Sequence, residues 1–323
     1  MKKRRRKKRG SGRRILLLSI LIIPVIYVIT LYQLPSADAP FFPLSNDEKN
    51  DSQAGKTNQP TDISVDELYS SSAILIRLND QQILLEKNSS NKIYPASLTK
   101  IMTTIVALEN ISDQQQKVVL PDSIFHDLYE ANASMAGFLP GEEVSLIDLL
   151  YGVMLPSGAE SSIGLAYILA GSESNFVTLM NQKAVQLGMD NTHFANTTGL
   201  HDSDHYSTVE DIAVLLEYAL QNPTFRDVFT AASHTTASTN LHPEGITFHS
   251  TMFSRMDTTD IAGVKVIGGK TGYTGQAGLC LASLAKENGE EYILITAGAD
   301  GDTQTEQYNI TDAFTVYSNL AKE

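Results

Sequence analysis

Tryptophan is absent from this 323-residue chain, and cysteine occurs once, as Cys280. A single cysteine excludes an intramolecular disulfide, so an oxidising compartment is neither required nor ruled out. It lies in the apolar run 279–284 and reads as a buried strand residue. Histidine is sparse, and the seven present suggest no Ser-His-Asp triad. His201 and His205 have H-x-x-x-H spacing, but they fall among loop-forming residues ahead of Thr208. Metal-ligand geometry is therefore not implied, and no metal or cofactor is expected. Basic residues are scarce beyond the N-terminus. Residues 1–34 hold ten Lys and Arg and no acid, which leaves 14 basic against 37 acidic residues and a net charge of −23 for the rest. So acidic a body excludes phosphate-directed binding of nucleic acid. It also lacks charge attraction to anionic lipid or wall polymers.

The N-terminus bears on location. A basic block, residues 1–14, precedes the uncharged apolar stretch 15–34. About twenty such residues match the bilayer core at helical rise. The basic flank stays cytoplasmic and sends the rest of the chain outside. A cleaved signal peptide ending at Ala37-Asp38-Ala39 is the rival reading, but Pro40 obstructs that cut and the stretch is long for a signal. The expectation is a single-pass membrane anchor at 15–34. Residues 35–64 read as a polar tether that lacks an apolar period. The globular pattern then runs over 65–323.

Within that body, residues 73–78 and 83–86 read as paired strands around the turn Asn79-Asp80. Helical spacing follows at 97–110, through Ile101, Ile105 and Leu108, and again at 145–154, 160–170 and 174–187. Thr208-x-x-Asp211 opens another helix. Short apolar strands return at 263–267, 278–285 and 292–297, with Asn288-Gly289 as a hairpin turn and a last helix at 303–320. Strands from both ends of the chain around a helical insertion predict an α+β fold with a mainly antiparallel sheet.

Three short motifs carry the chemistry. In Ser97-Leu-Thr-Lys100, residues i and i+3 share a helix face, so the lysine sits beside the serine. A serine hydroxyl needs a base to become a nucleophile, and a lysine whose pKa is lowered by burial can be that base. Lys270-Thr271-Gly272 follows Gly268-Gly269 at the end of an apolar run. It offers a cation and a hydroxyl for a carboxylate, with glycines that admit a ligand backbone. Ser157-Gly158 lies between two expected helices, where a serine can shuttle a proton. Taken singly, each is also explained by capping or turn chemistry.

Together, and in this order, they resemble the triple of the penicillin-binding proteins and serine β-lactamases. The surrounding stretches 94–103, 149–158, 196–200, 205–208 and 268–274 are similar to the low-molecular-mass D-alanyl-D-alanine carboxypeptidases over residues 65–323. That resemblance implies a β-lactamase/transpeptidase-like fold, with a five-stranded sheet flanked by helices and a helical subdomain. It implies Ser97 as the acylated nucleophile, Lys100 as its base and Ser157 as a proton relay. Lys270 and Thr271 would hold the substrate's terminal carboxylate, Gly272 and Tyr273 would also bind substrate, and the backbone N–H groups of Ser97 and Tyr273 would form the oxyanion hole. The implied partners are peptidoglycan stem peptides, with β-lactams as covalent inhibitors. Many relatives carry a further β domain and a terminal membrane helix, and the expected span at 15–34 would replace that anchor.

The resemblance breaks at Ala159, where the family usually has asparagine. Losing such a polar group costs about 100-fold or more in rate unless another replaces it. Glu160 is adjacent and reads as a solvated first-turn acid. An impaired wall-binding protein, a β-lactamase and an endopeptidase therefore stay open beside the carboxypeptidase. From the sequence alone, Ala159→Asn is expected to raise the acylation rate; an unchanged or lower rate would mean that the site is tuned without asparagine.

Overall fold

The computed structural model describes residues 64–320, so the expected anchor and nearly all of the tether lie outside the described residues. No helix among the described residues is long and apolar enough to cross a membrane. The chain enters through β1 (Ser72–Arg77) and β2 (Gln82–Lys87), then α1 (Thr99–Asn110). The helical part follows: β3 (Lys117–Val119), α2 (His126–Glu130), β4 (Glu143–Ser145), α3 (Leu146–Met154), α4 (Ala159–Ala170), α5 (Glu173–Gln186), α6 (Val209–Leu220) and α7 (Pro223–Thr230). A small hairpin, β5 (Ser233–Thr235) and β6 (Thr247–His249), leads to β7 (Asp260–Ile261), β8 (Val264–Thr274), β9 (Gly278–Glu287), β10 (Glu290–Ala299) and α8 (Tyr308–Leu320).

The main sheet runs β2-β1-β10-β9-β8-β7, with every neighbouring pair antiparallel. This is the expected α+β arrangement, built from both ends of the chain, but with six strands where five were expected. The sixth is β7, only two residues long. Ala262 and Gly263 take positive φ values of 55° and 102°, which turns the chain straight back into β8. Asn288 and Gly289 do the same between β9 and β10, as their sequence predicts.

Strand alternation divides the core. In β1, Ala73 and Leu75 face the cluster that holds Ile310, Val316 and Tyr317 of α8. Ile74 and Ile76 face the opposite cluster, with Ile101, Ile105 and the helical part. The period expected for α1 was amphipathic, yet residues Thr99 to Leu108 are all buried. The reason is that α1 is enclosed, packing on α3, α4, α5, α6 and α7 at once. A central helix of this kind is held on every side, so the residues at its N-terminus are fixed.

That N-terminus departs from the sequence expectation in one respect. Ala96 has φ +46°, and residues Ala96–Leu98 form a 3₁₀ turn, with the α-helix beginning at Thr99 rather than Ser97. Gly199 braces the turn. A Cβ built at Gly199 would lie 1.9 Å from the Ala96 carbonyl oxygen, and its φ of +78° favours glycine. Gly199→Ala is expected to destabilise the fold by about 1–3 kcal/mol and to displace the peptide ahead of Ser97. Thermal unfolding together with the rate of covalent labelling of Ser97 checks this, and wild-type values for both would refute it.

Candidate active site

Four motif side chains converge between α1, the start of α4 and β8. The Ser97 hydroxyl accepts from Lys100 Nζ at 3.3 Å, one helical turn away, and from the Ser157 hydroxyl at 2.9 Å. Ser157 in turn accepts from Lys270 Nζ at 3.0 Å. One chain of hydrogen bonds therefore joins both lysines through two serines. Lys100 also donates to the Thr198 carbonyl, and Lys270 donates to the Thr271 carbonyl at 2.8 Å. Ser157 holds φ +68°, a strained value for a residue that is not glycine, at the point where α3 gives way to α4.

Burial sets the electrostatics. Lys100 is 2% exposed and Lys270 is fully buried. Burial pulls Lys100 from 10.5 down to about 7, against the nearby carboxylates of Glu160 and Glu173, which favour its charged form. Lys270 is pushed well below its ordinary value, first by burial and then by the like charge of Lys100. A poorly ionised amine is a competent proton acceptor, and an anion in the cleft would restore a proton to its neighbour.

β8 carries the third motif along the cleft. It extends to Thr274, well past the expected end at 267, so Lys270, Thr271, Gly272 and Tyr273 stand in a strand rather than a turn. β7 covers only Val264 and Lys265, and along the motif the strand partner is β9 alone. A Cβ on Gly272 would lie 3.0 Å from Ser97 N and 3.2 Å from the Pro95 oxygen, so glycine is what allows strand and serine turn to touch. Gly269 likewise leaves room for Met252 and the Ala282 carbonyl. Thr271 shares a hydrogen bond of 2.7 Å with Thr251. The resulting cleft of about 610 Å³ is lined by Ser97, Lys100, Ser157, Thr271 and Tyr273 among others.

One expectation needs correction. Glu160 is not solvated: it is 0% exposed, and its Oε1 accepts from the backbone N–H groups of Ala136 (2.7 Å), Gly137 (2.8 Å) and Phe138 (3.3 Å). Those partners are more than twenty residues away, so no local signal reveals them. His205 is a core residue, and both its nitrogens are engaged: Nδ1 accepts from Ala195 N–H at 3.2 Å, and Nε2 faces Thr99 Oγ1 at 2.7 Å. His201 instead lies edge-on to Tyr94 at the cleft. Thr198 and Thr251 were not singled out as site residues. Thr198 lies within the family-like stretch 196–200, whereas nothing local marks Thr251.

Burial lowers the pKa of His205 from 6.5 to about 4. The folded chain therefore binds this proton less readily than the unfolded chain, so the stability it contributes is full above pH 6.5 and is lost as pH falls toward 4. Between pH 7 and pH 5 the loss is about 2 kcal/mol. A His205→Gln chain should lack that part of the acid destabilisation in paired thermal melts; equal slopes for both chains would refute it.

A family model described as D-alanyl-D-alanine carboxypeptidase matches residues 56–301. D-alanyl-D-alanine carboxypeptidase DacF of Bacillus subtilis is 35% identical over 234 residues, covering 71% of this chain and 57% of that protein. DacC of Escherichia coli is 37% identical over 148 residues, covering 44% of this chain and 37% of that protein. The chain thus spans roughly half the length of these relatives. Among solved structures, the Streptomyces K15 DD-transpeptidase superposes with a TM-score of 0.69 at 26% identity, over 79% of this chain and 98% of that one. A Mycobacterium tuberculosis D-alanyl-D-alanine carboxypeptidase gives 0.70 at 24% identity over 83% and 97%, a likeness of fold alone.

Proposed function

This chain belongs to the D-alanyl-D-alanine carboxypeptidase family, and from that premise we propose that it is a serine D,D-carboxypeptidase acting on the D-Ala-D-Ala termini of peptidoglycan stem peptides. The observation that carries the reading is the continuous chain Lys100–Ser97–Ser157–Lys270 beside the edge of β8. Ser97 Oγ attacks the carbonyl of the penultimate D-alanine while neutral Lys100 takes its proton. The oxyanion forms between the backbone N–H groups of Ser97 and Tyr273. Ser157 gives its hydroxyl proton to the departing nitrogen and regains one from the Lys100 ammonium, which is neutral again; the C–N bond breaks, free D-alanine leaves, and the acyl chain stays esterified to Ser97. Water, deprotonated in the same way, then attacks the ester and releases the shortened peptide and the serine hydroxyl.

Lys270 and Thr271 receive the terminal carboxylate. The negative charge offsets the burial of Lys270 and the repulsion from Lys100, so substrate binding favours its ammonium form. A β-lactam takes the same route: Ser97 opens the ring, and the tethered leaving group stays on the acyl moiety. The apolar span at 15–34, behind its basic block, supports a single-pass anchor in the bacterial cell membrane with the peptidase body outside, facing the wall.

Intact mass spectrometry of the chain incubated with a penicillin tests the reading. One penicillin mass on the Ser97 peptide, absent from Ser97→Ala, is expected. No adduct with the β-lactam left intact would sink it in favour of a wall-binding protein. No adduct with rapid β-lactam loss would make the chain a β-lactamase. Because Lys100 must be neutral to accept the proton, acylation is expected to rise as pH increases through about 7. A rate that is flat from pH 6 to pH 8 would remove Lys100 as the base.

A further inference from the structure

The cleft wall beside the two serines is a methyl group at Ala159, which is 2% exposed and offers a ligand amide nothing to bond. Backbone contact brings another part of the chain, with polar side chains, against that wall. Ala159 N–H donates to the Ser134 carbonyl at 2.8 Å, which seats the loop 131–138 directly on the start of α4. A Cβ on Gly158 would lie 2.7 Å from the Ala136 Cβ, so no larger residue fits under the loop there. Asn132, Ser134 and Ala159 all line the cleft. Asn132 and Ser134 are exposed, and no protein group among the described residues bonds either side chain.

The loop is fixed from both ends. Ala131 N–H and Ala133 N–H donate to the carbonyls of Asp127 and Leu128 in α2. On the far side Glu160, wholly buried, gathers three successive N–H groups onto one carboxylate oxygen. Gly137 makes that possible with φ +107°. Phe138 then anchors the segment leaving the loop, edge-on to Phe248 at 5.5 Å. A charged acceptor shared by three N–H groups is a strong tether. The burial of Glu160 has no other use in the chemistry above, beyond its charge near Lys100.

We propose that Glu160 is a positioning residue that holds the loop 131–138 against α4, and that Asn132 and Ser134 are thereby presented to the cleft as the hydrogen-bonding wall for an amide of the bound acyl donor. Beyond its carboxylate and the scissile bond, the donor offers peptide amides. A carboxamide and a hydroxyl are the partners that suit them. The inference rests on the acylating role of Ser97 argued above.

The test is the second-order rate constant for acylation of the full chain by a fluorescent penicillin, with thermal unfolding in parallel. Asn132→Ala/Ser134→Ala changes only exposed side chains. It is expected to slow acylation about tenfold or more without lowering Tm. Glu160→Ala should slow it comparably. Glu160→Gln, whose amide oxygen can still accept the three N–H groups, should recover most of the rate. Measured at pH 9, where Lys100 is neutral with or without the Glu160 charge, adding Glu160→Ala to the loop variant should cost nothing further, since both remove one device. The gain expected at Ala159→Asn is then confined to the loop variant and absent from the wild type. A loop variant that acylates at the wild-type rate overturns the proposal, as do losses that multiply or a wild-type chain accelerated tenfold by Ala159→Asn. If Glu160→Ala does not fold, the loop variant decides alone. A wild-type chain that takes no penicillin removes the acylating reading and this inference with it, whereas a labelled wild type with an unaffected loop variant removes only the inference.

Discussion

Two lysine ammonium groups taken out of water within one hydrogen-bond network are the constraint on which the rest of this structure depends. Burying a cation is expensive unless acceptors and opposite charge surround it. Lys100 and Lys270 have few acceptors: a serine hydroxyl and a backbone carbonyl each. The carboxylates near Lys100, Glu160 and Glu173, are themselves engaged with backbone groups. The network is consequently short of negative charge and settles by shedding protons. That deficit makes one amine a base near neutral pH and prepares the other to receive an anion. In the proposed reaction, stability lost in burying the lysines would appear as reactivity at Ser97 and as affinity for a carboxylate.

The fold's contribution is rigidity at the points where these groups meet. α1 is packed on all sides, so Lys100 and the 3₁₀ turn bearing Ser97 have no slack. β8 is braced by β9 along the motif and leaves its other edge toward the cleft. Glycines at 199 and 272 let three backbone segments approach to van der Waals distance around Ser97. His205 adds a bond from the neighbouring loop to Thr99, between Ser97 and Lys100 in the chain. Each of these supports acts on the position of one hydroxyl.

Much of this was legible in the sequence where the determining interaction is local. The i, i+3 spacing of Ser97 and Lys100, the Asn288-Gly289 turn and the capping of α6 by Thr208 need only nearby residues, and the structure has all three. Asn222 before Pro223 is an equally local helix start for α7, and it went unused. Features set by distant contacts were not legible. The burial of Glu160 depends on residues 136–138, and the full enclosure of α1 depends on five other helices. The length of β8 was underread because Gly268, Gly269 and Gly272 weaken a strand in isolation, while pairing with β9 holds them extended. That Ser134, twenty-five residues upstream, sits against Ala159 is invisible to any local pattern.

The proton on Lys100 is the most direct measure of this arrangement. In a chain labelled with ¹⁵N at lysine Nζ, the Lys100 signal can be assigned by its absence from Lys100→Arg and followed from pH 5 to pH 11. A midpoint near 7, far from the exposed lysines, is the result that burial beside Lys270 requires. A midpoint near 10.5, with Lys100 titrating as an ordinary surface amine, would contradict it and leave Ser97 without the base on which the chemistry depends.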